Sequence, residues 1–70
     1  MTREPVDSSN LKSVGYDPEF QILEVEFKNG GIYQYDHVPA FQFDMLKAAE
    51  SVGRYFNMNI KNSYQVRKMT

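Results

Sequence analysis

The sequence predicts an α+β domain in which two C-terminal helices pack on one face of a three-stranded antiparallel β-meander (β-β-β-α-α). The segment 23–28 alternates apolar and charged residues, which is the pattern of a strand with one buried face. Asn29-Gly30 follows directly, and both residues tolerate the positive φ angles of a tight reversal into the next strand. Farther along, apolar residues recur at three-residue spacing, as on the buried stripe of a helix: Phe43, Leu46 and Ala49.

The first strand of the meander is expected from Leu11 to Tyr16. It follows Ser8-Ser9-Asn10, whose side chains bond nearby backbone groups and mark the boundary of an element. Asp17-Pro18-Glu19 ends this strand, because proline sets the backbone angle of a turn position. The alternating segment that follows is then the second strand.

The length of the hairpin loop decides which face of the sheet carries Tyr33 and Tyr35. A two-residue loop at Asn29-Gly30 would place both tyrosines on the face of the glutamates. A three-residue loop, Lys28-Asn29-Gly30 with the glycine as a bulge, would instead place Tyr33 opposite Val25. Only this second register separates an apolar face from a polar one. We therefore predict the longer loop, with both tyrosines at the rim of the core.

The helices are expected from about Pro39 to Glu50 and from about Ser51 to Ile60. Proline is well tolerated at the first helical position, and serine is a good cap for the second helix. Gly53 marks the corner between the two helices.

A chain of 70 residues forms one domain with a modest core. We expect a flexible N-terminus over residues 1–7, a single folded domain over 8–64, and a basic tail or a late edge strand over 65–70. The chain has no cysteine, which agrees with a reducing compartment, and its apolar runs are too short to cross a bilayer. The expected location is the cytoplasm, without a membrane partner.

Acidic and basic residues are separated along the chain. Between Gly15 and Glu50 there are seven acids and only two lysines. From Ser51 to Thr70 there are four basic residues and no acid. Such asymmetry is typical of an anion-binding face, although a solvated face with a basic tail would give the same pattern.

Catalytic and metal-binding patterns are weak in this sequence. His37 is the only histidine, and its neighbour Asp36 would point to the opposite face of a strand. Glu24 and Glu26 share a strand face, which is usually a solvated one. Gly30-Gly31 lacks the helix and the lysine of a phosphate-binding loop. We predict that the protein is not an enzyme and uses no metal or cofactor.

The acid-free segment after Glu50 has the composition of a nucleic-acid-binding surface. Its cations suit phosphate oxygens, its amides suit sugars and base edges, and its tyrosine suits stacking on an unpaired base. A tyrosine on a short helix is also common in cores. The candidate residues are Arg54, Tyr55, Asn57, Asn59, Lys61, Arg67 and Lys68.

The order of motifs resembles the KTSC domain over nearly the whole chain, from about Val6 to Tyr64. The matching motifs are Ser8-Ser9-Asn10, Val14-Gly15-Tyr16-Asp17, the run 23–27, Gly30, Tyr33-x-Tyr35, Val38-Pro39 and Ser51-x-Gly53-x-Tyr55-Phe56-Asn57 with Ile60. This resemblance implies a small module of bacterial and phage proteins that also occurs at the C-terminus of some lysyl-tRNA synthetases. RNA binding is the role proposed for that family, on the grounds of the synthetase association and of the Tyr-x-Tyr motif, here Tyr33 and Tyr35.

Two roles follow as expectations. The first is weak binding of single-stranded RNA or tRNA by a non-enzymatic domain, in which Tyr33 and Tyr35 are structural. The alternative is a protein-interaction module or homodimer that uses the sheet edge. An apolar patch at Phe41 and Phe43, more aromatic than the resemblance leads us to expect, is the other surface for such contacts.

Overall fold

The computed structural model describes residues Met1–Thr70 as an antiparallel sheet of five strands, in the order β1-β2-β3-β4-β5, covered on one face by two helices. The helices lie between β4 and β5 in the chain. The elements are β1 (Arg3–Pro5), β2 (Leu11–Asp17), β3 (Ile22–Phe27), β4 (Ile32–Tyr35), α1 (Ala40–Ala48), α2 (Val52–Asn59) and β5 (Val66–Lys68). Neither helix is long and apolar enough to cross a membrane.

The predicted α+β class and the central meander, β2 to β4, are present, but the prediction of three strands was wrong in number. β1 lies within the segment that was expected to be flexible, and it pairs with β2. β5 lies in the basic tail and pairs with β4, so the edge-strand alternative for that segment is the one observed. Both added strands have three residues, which is too short for an alternating pattern to show in the sequence.

The predicted hairpin register is confirmed. Tyr33 lies opposite Val25, and Tyr35 lies opposite Leu23. The Gly30 amide donates to the Phe27 carbonyl at 2.9 Å, which closes a turn around Lys28 and Asn29. Gly30 itself has a φ angle of 99°, in the left-handed region that favours glycine. One face of the hairpin is therefore apolar and meets the helices.

The core lies between this apolar sheet face and the helices. Phe56 of α2 is at its centre and meets the rings of Tyr35 and Phe27 edge-on, with centroids 5.4 and 5.6 Å apart. From α1, only Leu46 is fully buried. Burial raises the pKa of the Tyr35 hydroxyl. The ten buried apolar residues are Leu11, Val14, Leu23, Val25, Tyr35, Val38, Leu46, Val52, Phe56 and Ile60.

The helix starts follow the predicted capping residues. Pro39 is the N-cap of α1, one residue before the helix rather than its first member. Ser51 is the N-cap of α2, and its Oγ accepts from the Arg54 amide at 3.2 Å. Gly53 lies inside the first turn of α2 and not at a corner between the helices.

Candidate nucleic-acid interface

The seven residues predicted to contact nucleic acid do not form one continuous surface. Arg54, Asn57 and Lys61 follow one exposed side of α2 and the residues just after it, because positions three and four apart share a helix face. Neither Arg54 nor Lys61 has a carboxylate within 4 Å. These two cations are therefore available to an anionic ligand.

The loop Ser8-Ser9-Asn10 runs beside the start of α2 and forms an open cleft with it, which we call the polar cleft. The loop side chains approach the helix backbone closely at Gly53, where a Cβ atom would lie 2.9 Å from Asn10 Oδ1 and 3.1 Å from Ser8 Oγ. A side chain at position 53 would therefore displace these loop side chains. None of the nine residues that line the cleft is hydrophobic: Asp7, Ser8, Ser9, Asn10, Glu50, Ser51, Gly53, Arg54 and Asn57.

A second cleft, the Tyr33 cleft, continues from the first, because Asn10 and Asn57 line both. It combines aromatic rings with amides and a lysine, and its residues are Asn10, Phe27, Asn29, Tyr33, Tyr35, Phe56, Asn57 and Lys61. Tyr33 is half-buried and meets Phe27 edge-on at 5.5 Å. Its ring lies over Gly31, where a Cβ atom would be 3.1 Å from Tyr33 Cε1. The ring is thus fixed in position at the wall of the cleft.

Tyr55 and Asn59 lie on the other flank of α2. The Tyr55 hydroxyl donates to Gln42 Oε1 at 2.6 Å, and Gln42 Nε2 donates to the Tyr64 hydroxyl at 3.1 Å. Asn59 Nδ2 donates to the Tyr55 carbonyl at 3.2 Å. Tyr55 therefore ties α2 to α1 and packs against the core, and its ring is not a free stacking platform.

Arg67 lies on the outer sheet face, the side turned away from the helices. Its guanidinium donates to both carboxylate oxygens of Asp36, at 2.8 and 3.2 Å, and to Gln34 Oε1 at 3.1 Å. The hydrogen bond from Arg67 lowers the pKa of the Asp36 carboxyl. The positive charge of Arg67 is thus already paired with Asp36, the residue that follows β4.

The same network continues across the sheet to β1. Gln34 Nε2 donates to Glu24 Oε1 at 2.8 Å, and Arg3 Nη1 donates to Glu24 Oε2 at 2.6 Å. Gly15 of β2 lies between Arg3 and Glu24 in the register, and the Arg3 side chain extends across it. Burial raises the pKa of Glu24, but the hydrogen bonds from Gln34 and Arg3 outweigh it, so the net pKa lies below the ordinary value. The negative charges of the hairpin glutamates, Glu24 and Glu26, are therefore balanced by nearby cations.

Lys68 lies directly opposite Tyr33 in the register of β5 and β4. Directly paired residues project from the same face of a sheet, so Lys68 lies on the helix side, next to the Tyr33 cleft. It is exposed and has no acid partner within 4 Å. The basic tail is thus divided between two faces, with Arg67 on one and Lys68 on the other.

The predicted Phe41 and Phe43 patch is split as well. Phe43 stacks on Tyr16 at 5.3 Å and is covered by Lys47 Nζ, 4.4 Å from its ring centroid. Phe41 remains 60% exposed, beside the exposed Met45 one helical turn on. His37 is exposed, and no three His, Asp or Glu side chains gather as metal ligands.

Sequence reasoning treated Ser8-Ser9-Asn10 only as a turn and a family motif, and did not include it in the site. The structure places it against α2, so that two motifs far apart in the chain form one surface. The signal for this contact was Gly53, a glycine inside a helix, which usually has a packing reason.

Comparisons of the sequence and of the structure with known proteins agree on one family. Residues 7–64 match the KTSC domain. An uncharacterized protein of Stutzerimonas stutzeri is 51% identical over 61 residues, which cover 87% of this chain and 86% of that protein. The crystal structure of a KTSC domain protein from Yersinia pestis superposes with a TM-score of 0.96 at 40% identity, covering 99% of this chain and 97% of that one.

A longer relative is a lysine–tRNA ligase of Nostoc. It is 34% identical over 64 residues, which cover 91% of this chain but only 11% of the ligase. The chain is thus homologous to the C-terminal region of such ligases.

Proposed function

The chain belongs to the KTSC domain family, and from that premise we propose that it is a non-enzymatic, cytoplasmic module that binds single-stranded RNA or the unpaired parts of tRNA. The binding site is the α2 surface, which we define as Arg54, Asn57, Lys61, Asn10 and Tyr33. Lys68 adjoins this surface from β5.

One observation supports this proposal above the others. The polar cleft and the Tyr33 cleft form a continuous path from Arg54 to Tyr33, with Asn10 and Asn57 at their junction. Cations near the path suit phosphates, amides suit sugars and base edges, and a half-exposed ring suits a base. The path is open and largely polar, whereas sites for small molecules are concave and mostly apolar.

The relationship to a lysine–tRNA ligase supports the same class of partner, since that enzyme acts on tRNA by its name. Since the proposed site and its border supply only Arg54, Lys61 and Lys68 as unpaired cations, the affinity is expected to be modest and to fall as salt rises. Each phosphate contact on a single strand contributes about 0.7 to the slope of log K against log salt.

The test uses two asparagines of the same helix. Asn57 lines both clefts, whereas Asn59 lies on the other flank and donates to its own helix. We expect Asn57→Ala to weaken the binding of a labelled single-stranded RNA about fivefold, as for the loss of one hydrogen bond. The matched control, Asn59→Ala, should bind like the unchanged protein.

Fluorescence anisotropy gives the affinities, and backbone amide shifts locate the contact. The proposal is lost if no RNA binds at low salt, or if the shifts lie on the outer sheet face instead of α2. Equal weakening by both alanine variants would also contradict it.

A second candidate function is protein interaction or self-association at the β5 edge. All three residues of β5 are exposed, and Val66 and Met69 are 45% and 49% exposed. The opposite edge is blunted, because Pro5 offers no backbone N–H to another strand. Sedimentation at rising protein concentration tests this candidate: a constant monomer mass excludes the homodimer.

A further inference from the structure

We infer that the Tyr33 cleft selects guanine over adenine, because two of its amide side chains have their oxygens engaged within the protein and, with a lysine, leave hydrogen-bond donors for a ligand. This inference rests on the proposed RNA binding and adds a base preference to it. It follows from which side-chain atoms are already engaged within the protein.

Asn10 lines the cleft, and its side-chain oxygen is engaged within the protein. Ser8 Oγ accepts from the amides of Asn10 and Leu11, at 3.4 and 3.3 Å, so its own hydrogen must go to an acceptor. That acceptor is Asn10 Oδ1, 3.0 Å away. The oxygen of Asn10 is thereby engaged, and the free end of the side chain is Nδ2, which carries two donors.

Asn29 is oriented in the same way at the hairpin loop. Its Oδ1 accepts from the Gly31 amide at 2.9 Å. A backbone amide can only donate, so the oxygen end of Asn29 must face it. The end left for a ligand is again Nδ2, with two donors.

Lys61 adds a third group that only donates, since an ammonium has three N–H bonds and no acceptor. Asn57 makes no side-chain hydrogen bond within the protein and can serve a ligand with either end. Tyr33 supplies the ring that a base would stack on, and its hydroxyl can either donate or accept. The cleft therefore favours a planar ligand whose edge is rich in acceptors.

Guanine presents two acceptors, O6 and N7, on one edge. Adenine has N7 beside an amino group, so one of the facing donors would be left without an acceptor. The loss of one donor–acceptor hydrogen bond lowers the affinity about tenfold, which is within the range by which bidentate base contacts discriminate between bases.

The experiment compares two labelled pentaribonucleotides that differ only at the centre, AAGAA and AAAAA. We expect the dissociation constant for the guanine strand to be about tenfold lower. Equal, salt-sensitive binding of both strands overturns the base preference but leaves RNA binding intact. Preference for adenine also overturns it, and binding of neither strand overturns both proposals.

A pair of variants tests whether Asn29 carries part of the preference. Asn29→Asp keeps the acceptor for Gly31 and replaces the free donor end with an acceptor. Asn62→Asp makes the same change of charge at an exposed residue outside the cleft. The ratio of the two dissociation constants should fall about fivefold in Asn29→Asp and stay unchanged in Asn62→Asp. An unchanged ratio in both variants contradicts the role of Asn29.

Discussion

The outer sheet face and the α2 surface both carry cations, but only on the outer face are those cations paired with acids. Arg67 and Arg3 lie at the two ends of a hydrogen-bonded row that includes Glu24 and Asp36. Arg54 and Lys61 have no carboxylate within 4 Å. The first set holds short edge strands in place, whereas the second has no acid partner within the protein. Cations of the same basic segment after Glu50 therefore differ in whether they are paired with an acid.

The largest expected effect comes from reversing the charges on the α2 surface. In Arg54→Glu/Lys61→Glu, two phosphate contacts become repulsions, so RNA affinity should fall by more than about thirtyfold at low salt. Both residues are exposed, and stability should change by less than about 0.5 kcal/mol. Anisotropy and urea unfolding measure the two quantities. A large loss of stability with intact binding would reverse the roles that we assign to the two faces.

The next effect is a loss of stability on the outer sheet face. Glu24→Gln removes the charge that Arg3 and Gln34 approach, and charged hydrogen bonds contribute about 1.5 kcal/mol or more to stability. RNA affinity should remain within about twofold. Glu19→Gln, the same change in an exposed turn, is the control and should leave the unfolding free energy unaltered. Equal stability of the two variants would show that the row is not stabilising.

The stability of the fold should depend on pH through the carboxyl groups of the outer sheet face, Glu24 and Asp36. The folded-state pKa values of Glu24 and Asp36 lie below their ordinary values. Both carboxyls therefore stabilise the fold above the ordinary carboxyl range, and this contribution is lost as the pH falls through their folded-state values. Urea unfolding over a pH series should show the difference between the unchanged protein and Glu24→Gln shrinking in acid. A difference that is constant with pH contradicts this account.

The smallest expected effect on stability comes from a substitution at Gly53, where the Ser8-Ser9-Asn10 loop packs against α2. Gly53→Ala places a Cβ atom against Asn10 Oδ1, yet alanine is favoured over glycine within a helix by about 1 kcal/mol. These terms oppose each other, so the unfolding free energy should change little. The displaced loop should nevertheless weaken RNA binding about threefold, as for a partly lost hydrogen bond. Binding that is unchanged would show that the Ser8-Ser9-Asn10 loop is not part of the interface.

Sequence patterns predicted the parts of the fold that have a strong local signal. Asn29-Gly30 and the alternation before it determined the hairpin register, and Ser51 determined the start of α2. β1 and β5 had no such signal, because a strand of three residues is too short to show an apolar alternation. They are held by backbone pairing and by Arg3 and Arg67, whose partners are distant in the chain.

The candidate site was predictable only in part for the same reason. Arg54, Asn57 and Lys61 share a helix face, which follows from spacing alone. The place of Arg67 depends on the strand it forms, and that of Asn10 depends on the packing of a loop against Gly53. Long-range contacts of this kind leave no periodic trace in the sequence.

The most direct test of the contrast is the salt dependence of RNA binding in two single variants. Lys61→Ala removes an unpaired cation of the α2 surface, and Arg67→Ala removes a paired one of the outer sheet face. The slope of log K against log salt should become about 0.7 less steep in Lys61→Ala and remain unchanged in Arg67→Ala. An unchanged slope in Lys61→Ala, or an equal loss in Arg67→Ala, would contradict the division of the cations between the two faces.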